Sequence, residues 1–271
     1  MLFQKFASLI AKMYILYCQK MPNHRGRHRI AKILDSIFGS FIAKTPKGLL
    51  LEIYLSSSMD LSFYEDEKND SHKEIIKNIQ QLKAGDTFID IGANIGFFSL
   101  LASRYVGEFG RVISYEPSPR EFKRLLTNIE INKIKNTMPY NLALSNYTGE
   151  SKLFIAESHT GINFLSHNNM EEDNYTLVPL FTGDLALGFL EQKSGNFLVK
   201  IDVEGAEYAV LSGMKSFLKE NKVKTVIVEI TPKFLERFNH TKDSVYALMK
   251  ECGFKATVDS SDWQYDEVFI R

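Results

Sequence analysis

Thr87-Phe88-Ile89-Asp90-Ile91-Gly92-Ala93-Asn94-Ile95-Gly96 decides the fold of this chain. The apolar run before Gly92 is too short for a helix and reads as a buried strand between Gly85 and Gly92. Its glycine turn hands the chain to a helix predicted over residues 95–105. Outward from this unit the same alternation repeats. Residues 111–115 read as a strand and 119–132 as a helix, with Pro119 in the first turn, where a missing N–H does no harm. Residues 140–144 give a third short strand. Residues 197–201 form a strand followed by a helix over 206–218. A buried strand spans 224–230, helical stretches run to about residue 251, and residues 254–258 and 267–270 predict a terminal hairpin. Strands alternating with helices imply a mostly parallel sheet covered on both faces. The expected fold is therefore α/β: a doubly wound, Rossmann-like sheet with helices on both faces.

The chain has 271 residues, 33 Lys+Arg against 33 Asp+Glu, and 44% hydrophobic residues. This suits one large domain, or one domain with an appendage. Two cysteines, Cys18 and Cys252, cannot make a disulfide framework, and they fit a reducing compartment. A cytoplasmic location is expected. Zero net charge argues against a nucleic-acid partner. The zero hides an asymmetry, however: residues 1–50 hold nine cations and only Asp35 as an anion, or +8, leaving −8 for the rest. Residues 2–18 place apolar side chains at helical spacing, and His24-Arg25-Gly26-Arg27-His28-Arg29 follows as a basic cluster. No uninterrupted apolar run reaches the roughly 18 residues of a spanning helix, and no small-residue cleavage site follows the stretch. Two readings stay open. The arm lies peripherally on an anionic membrane or an acidic partner, or it packs on its own domain. The expected divisions are a helical arm over 1–45, a lead-in strand (49–55) and helix (71–82) within 46–82, and the main domain over 83–271. Nothing in the sequence sets the oligomeric state.

In open α/β sheets, ligands bind outside the carboxyl ends of the strands. Gly92 and Gly96 let the backbone approach a ligand there, and Asn94 is the non-glycine residue most tolerant of left-handed φ. Glu116 ends the second strand, 20 residues beyond Gly96, where a nucleoside site uses a carboxylate to hold ribose hydroxyls. Pro117 then turns the chain, bringing Ser118 toward an adenine ring. The loop is not a Walker sequence. It also departs from G-x-G-x-x-G, because Asn94 replaces the glycine that makes room for a pyrophosphate.

Four blocks occur in order: Asp90 to Gly96, Tyr115-Glu116-Pro117, Asn141-Leu142-Ala143-Leu144-Ser145, and Lys200-Ile201-Asp202-Val203-Glu204-Gly205-Ala206-Glu207. Together they resemble the FkbM family of S-adenosylmethionine-dependent methyltransferases, from about residue 83 to about residue 229. The resemblance implies a seven-stranded class I methyltransferase fold with its last strand reversed, and S-adenosylmethionine as cofactor. By position it implies that Asp90, Gly92, Asn94 and Gly96, with Ala93 between them, surround the methionine part of the cofactor. It implies that Glu116 holds the ribose beside Pro117, and that Asn141, Ala143 and Ser118 lie near the adenine. Asp202 falls close to the sulfonium and the acceptor.

Asp202, Glu204 and Glu207 would repel one another unless Lys200, a metal, the sulfonium or a substrate amine compensates. Glu207 alternatively caps the following helix. No histidine accompanies the acids, and no metal is assigned. Methyl transfer to a hydroxyl needs in-line alignment and a base for the hydroxyl proton. Asp202 is the first candidate, with Glu204 and His159 behind it. His159 lies in the insertion over 146–196, which reads as a substrate loop. Trp263 and Tyr265 suit hairpin packing better than a sugar platform. The expected function is O-methylation of a sugar, glycan or small-molecule hydroxyl. Two other readings remain: a nicotinamide-dependent oxidoreductase, which Asn94 disfavours, and a non-catalytic module retaining the fold.

Overall fold

The computed structural model describes residues 2–21, 25–64, 72–155, 163–166, 174–190, 195–257 and 262–271. Two N-terminal helices come first, α1 (Leu2–Lys20) and α2 (Arg25–Phe38). They run antiparallel: Tyr14 Oη donates to the Arg27 carbonyl at 2.8 Å, and the Phe6 ring lies 6.2 Å from Phe38. Strands β1 (Phe41–Lys44) and β2 (Leu50–Ile53) pair antiparallel, Phe41 opposite Ile53 and Lys44 opposite Leu50. The helices α3 (Ser58–Ser62) and α4 (Lys73–Ile79) follow.

The expected division between residues 45 and 46 therefore cuts a hairpin. Ala7, Ala11 and Tyr14 of α1 are buried in one core with Leu51 and Ile53 of β2 and with Phe88, Phe97 and Phe98 of the main domain. The arm thus shares a buried core with the main domain. The lead-in strand is also shorter than expected, because Asp35 draws the chain aside. Its carboxylate accepts the Leu55 and Ser56 N–H groups at 2.9 and 2.8 Å.

The main domain begins with β3 (Thr87–Ile91), α5 (Phe97–Val106), β4 (Arg111–Tyr115), α6 (Pro119–Ile131) and β5 (Thr137–Tyr140). There the chain leaves the sheet. A second, four-stranded sheet follows, from β6 (Ala143–Ser145), β7 (Gly149–Phe154), β8 (Phe164–Leu165) and β9 (Tyr175–Thr182), ordered β6-β9-β7-β8. After α7 (Gly183–Leu187) the main sheet resumes with β10 (Phe197–Ile201), α8 (Glu207–Ser212), α9 (Lys215–Leu218) and β11 (Val223–Ile230). The chain ends with α10 (Pro232–Leu235), α11 (Lys242–Glu251), β12 (Lys255–Ala256) and β13 (Tyr265–Ile270).

The seven strands of the main sheet run in the order β12-β13-β11-β10-β3-β4-β5. The five from β11 to β5 are mutually parallel, and β13 is reversed against β11. The two-residue period of a strand splits its side chains between the faces. Phe88, Leu198 and Ile227 join the core beneath α5 and the N-terminal helices. Ile89, Ile91, Val199 and Ile201 join a second core with Val210 and Leu211 of α8 and Val245 of α11.

The single strand expected over 140–144 is two strands in two sheets, parted at Asn141. That side chain donates to the Glu116 and Pro117 carbonyls at 2.8 and 3.0 Å, pinning the corner. Trp263 is 76% exposed, against the expectation of hairpin packing, whereas Tyr265 is half-buried and its hydroxyl meets that of Tyr246 at 3.3 Å.

Candidate active site

The glycine turn is shaped by close approaches. The Gly92 and Ala93 N–H groups donate to the Tyr115 carbonyl at 2.9 and 3.0 Å, which ties β3's end to β4's end. Gly92 has φ +80°, and a Cβ there would lie 1.8 Å from the Asp202 carbonyl oxygen, backbone that cannot yield. A Cβ on Gly96 would strike Leu125 of α6 at 2.3 Å. Gly96 thus serves close packing onto α6. Asn94 takes the left-handed conformation at φ +51°, and its Oδ1 accepts the Ile95 N–H at 2.8 Å.

This geometry aims the Asn94 N–H at Glu116. Glu116 Oε2 accepts it at 2.7 Å, and Oε1 accepts the Ser118 N–H at 2.8 Å. Burial pushes the Glu116 carboxyl up to about 8, against the pull of those two donors. Each oxygen retains acceptor capacity for a further hydroxyl.

The opposite end of the crevice is organised around Lys200. Parallel register sets Ser114, Asp90 and Lys200 side by side on one face. Ser99 of α5 donates to Asp90 at 2.6 Å and lies 2.7 Å from the Ser114 hydroxyl. Lys200 Nζ is 3.5 Å from Asp90 and 3.1 Å from Asp202, and 5.2 Å from the centre of the Phe98 ring. Burial opposes the charge on Lys200, but Asp202 and Asp90 outweigh it and raise its pKa above the ordinary lysine value. Burial raises the Asp90 carboxyl, with Lys200 opposing.

Carboxylate oxygens of Asp202, Glu204 and Glu229 lie within 4.8 Å of one another, a spacing that admits a cation. Glu204 sits at φ +56°, left-handed for a residue with a side chain. Burial, then Asp202 and Glu207, push its carboxyl up to about 8. Glu229 lies directly across β11–β13 from Asp266. Burial, Asp202, Glu204 and Asp266 raise the Glu229 carboxyl, and burial followed by Asp202 brings Asp266 to about 7. Sequence reasoning missed both. Their signal was acids inside two otherwise apolar strands, Glu229 in Val226-Ile227-Val228-Glu229-Ile230 and Asp266 beside Glu267 in Tyr265 to Ile270, but only the register makes Glu229 and Asp266 neighbours. Glu207 stands apart: its Oε1 accepts the Gly205 N–H at 2.8 Å just before α8.

The two ends meet in a crevice of about 670 Å³, partly open to solvent, lined by Gly92, Asn94, Glu116, Pro117, Ala143, Asp202 and Glu204. Met59 of α3, Leu153 and Leu165 of the second sheet, and Asn163 just before β8 supply another wall. The insertion read as a substrate loop thus contributes a folded wall. Other expected residues stand behind the surface. Asp90 is fully buried beneath Lys200, and Ala93 is buried under the turn. The Ser118 hydroxyl turns away from the crevice to donate to Glu121. Asn141 holds the corner, as described above. His159 lies outside the described residues.

A mostly parallel sheet with a glycine turn after β3, an acid after β4 and acids after β10 defines an α/β domain whose crevice lies at the carboxyl edge of the strands, where ligands bind in such folds. The sequence profile of the methyltransferase FkbM domain matches residues 90–256, and the chain belongs to that family of methyltransferases. It is similar to a protein named methyltransferase 1 from Beauveria bassiana, 26% identical over 196 residues, covering 66% of this chain and 76% of that one. Methyltransferase sdnD from Sordaria araneosa is 26% identical over 242 residues, covering 76% of this chain and 91% of the relative. The hexuronic acid methyltransferase AglP from Haloferax volcanii is 28% identical over 152 residues, covering 56% of this chain and 59% of the relative.

Proposed function

We propose that this methyltransferase uses S-adenosylmethionine and methylates a hydroxyl oxygen on a sugar, glycan or small-molecule acceptor. The observation that carries the reading is Glu116, a buried carboxylate fixed by the Asn94 and Ser118 N–H groups at the edge of the crevice. A carboxylate there can accept both hydroxyls of a ribose, and hydrogen bonds to a charged acceptor contribute about 1.5–3 kcal/mol, more than a neutral side chain would give. The fit extends to the turn: Gly92 brings the backbone against the Asp202 carbonyl, and Gly92, Asn94 and Ala143 line the same space. When bound, S-adenosylmethionine supplies an electrophilic methyl group.

The acceptor side falls to Asp202 and Glu204. Lys200 holds one Asp202 oxygen at 3.1 Å, and Asp202 lines the crevice, where its carboxylate would stabilise the positive charge of a bound sulfonium. Glu204, raised to about 8 by burial and its acidic neighbours, is matched to removing a hydroxyl proton near neutral pH. It takes precedence over Asp202 as the base. The similarity to a protein named for hexuronic acid supports a sugar acceptor. Calorimetry with S-adenosylhomocysteine and with NAD tests the cofactor: the first should bind and the second should not. Mass spectrometry of uronic-acid glycosides incubated with enzyme and cofactor tests the acceptor, a 14-dalton gain on oxygen being the expected product of one methyl transfer of roughly that mass. Binding of NAD in place of S-adenosylhomocysteine would restore the oxidoreductase reading.

A further inference from the structure

α1 is apolar on two opposite sides. At about 100° per residue, Ala7, Ala11 and Tyr14 share the side that is buried in the domain. Phe6, Leu9, Met13 and Leu16 fall on the opposite side and are 57%, 53%, 63% and 45% exposed. α2 repeats the arrangement: Ala31 is buried, while Ile30, Ile33 and Ile37 are 45%, 58% and 60% exposed. A surface helix needs only one apolar face to pack. Here two antiparallel helices each expose a second apolar face, and exposed apolar surface gathered on neighbouring helices points to a docking face.

Charge identifies the occupant. Lys12, Lys20, Arg29 and Lys32 are exposed on the same two helices, within a segment of net charge +8. Beside α1 opens a groove of about 890 Å³ whose lining includes Lys12 and Lys44, with Ile15, Leu16 and Pro46 as apolar lining. Cations flanking an apolar face match phosphate headgroups above acyl chains. A second copy of the same face would instead bring like charges together. No helix among the described residues is long and apolar enough to cross a membrane, so contact lies in the plane of the surface. We propose that the outer face of α1 and α2 docks on an anionic phospholipid bilayer.

Flotation with phosphatidylcholine vesicles, with and without phosphatidylglycerol, tests this. The full-length protein should float with the anionic vesicles only, and increasingly less as salt rises. The variant K12Q/R29Q/K32Q should bind on the order of a hundredfold more weakly, at about fivefold per cation. The variant L9E/M13E/I33E should stay with the soluble fraction while keeping its far-ultraviolet circular dichroism and its affinity for S-adenosylhomocysteine. Should that variant unfold, the glutamine variant decides. Failure of the unsubstituted protein to float overturns the proposal, as does flotation indifferent to the substitutions. Light scattering that shows a dimer, dissolved by L9E/M13E/I33E in the absence of vesicle binding, overturns it in favour of a second copy.

Discussion

The two ends of the crevice solve the burial of carboxylates in opposite ways. At the β4 end a single acid, Glu116, is satisfied by two backbone N–H donors, Ser118 two residues on and Asn94 from the preceding glycine turn. At the β10 end, Asp202, Glu204, Glu229 and Asp266 are drawn from three strand ends, and the buried Lys200 ion-pairs directly with Asp202. The first end is preorganised by backbone, its lone carboxyl raised by burial but held by two fixed donors. The second is a set of mutually repelling groups whose protonation answers to what enters the crevice. Geometry governs one end and charge the other, as expected where like charges share a low-dielectric site.

The largest effect should come from the charged end. Glu204→Gln should lower turnover by about 10²–10⁴ while leaving the affinity for S-adenosylhomocysteine within a few-fold, as for the loss of a general base. Near-normal turnover would move the base to Asp202. Next in size is Lys200→Met. It strands Asp90 and Asp202 in the interior and should destabilise by about 3–5 kcal/mol, a drop of roughly 10 °C in the thermal midpoint. A midpoint within a degree or two of the parent would show that the acids do not depend on Lys200.

Two pH profiles sharpen the contrast with smaller effects. Glu204 must lose its proton to act, so kcat/KM should rise with pH up to about 8 and flatten above it. Glu204→Gln should remove that limb. Stability should run the other way. Glu204, Glu207 and Asp266 have carboxyls raised in the fold to about 8, 7 and 7. The folded protein therefore binds more protons than the unfolded chain between the ordinary carboxylate values and these. The stabilisation is complete below about 4 and is lost as pH climbs through 7–8. Differential scanning calorimetry of the ligand-free protein from pH 5 to pH 8 should show a falling thermal midpoint; a rising one would mean these groups are ionised in the fold.

The same contrast explains what the sequence disclosed. The strand–turn–helix around Gly92, the acid at Glu116 and the alternation behind the parallel sheet are local patterns, each read within a few residues. The acid pair Glu229 and Asp266 depends on the register of β11 with β13, and no local spacing encodes it. The same holds for the corner at Asn141, where one apolar run is shared between two sheets, and for the walls that Met59, Leu153 and Leu165 supply. The second sheet was opaque because its strands β7 and β9 carry polar residues among their apolar ones (Gly149–Phe154 and Tyr175–Thr182). The N-terminal helices misled for a different reason: apolar residues on both of their faces conceal which one the domain covers.

The claim on which the rest depends is that Glu116, gripped by Asn94 and Ser118, holds the nucleoside. Titration calorimetry of S-adenosylhomocysteine into the protein and into Glu116→Ala tests it most directly. Binding by the parent, weakened tenfold or more in a folded variant, is the predicted result, since the lost hydrogen bonds to a charged group are worth about 1.5–3 kcal/mol. Equal affinity in the two proteins, or no binding by the parent, would contradict it.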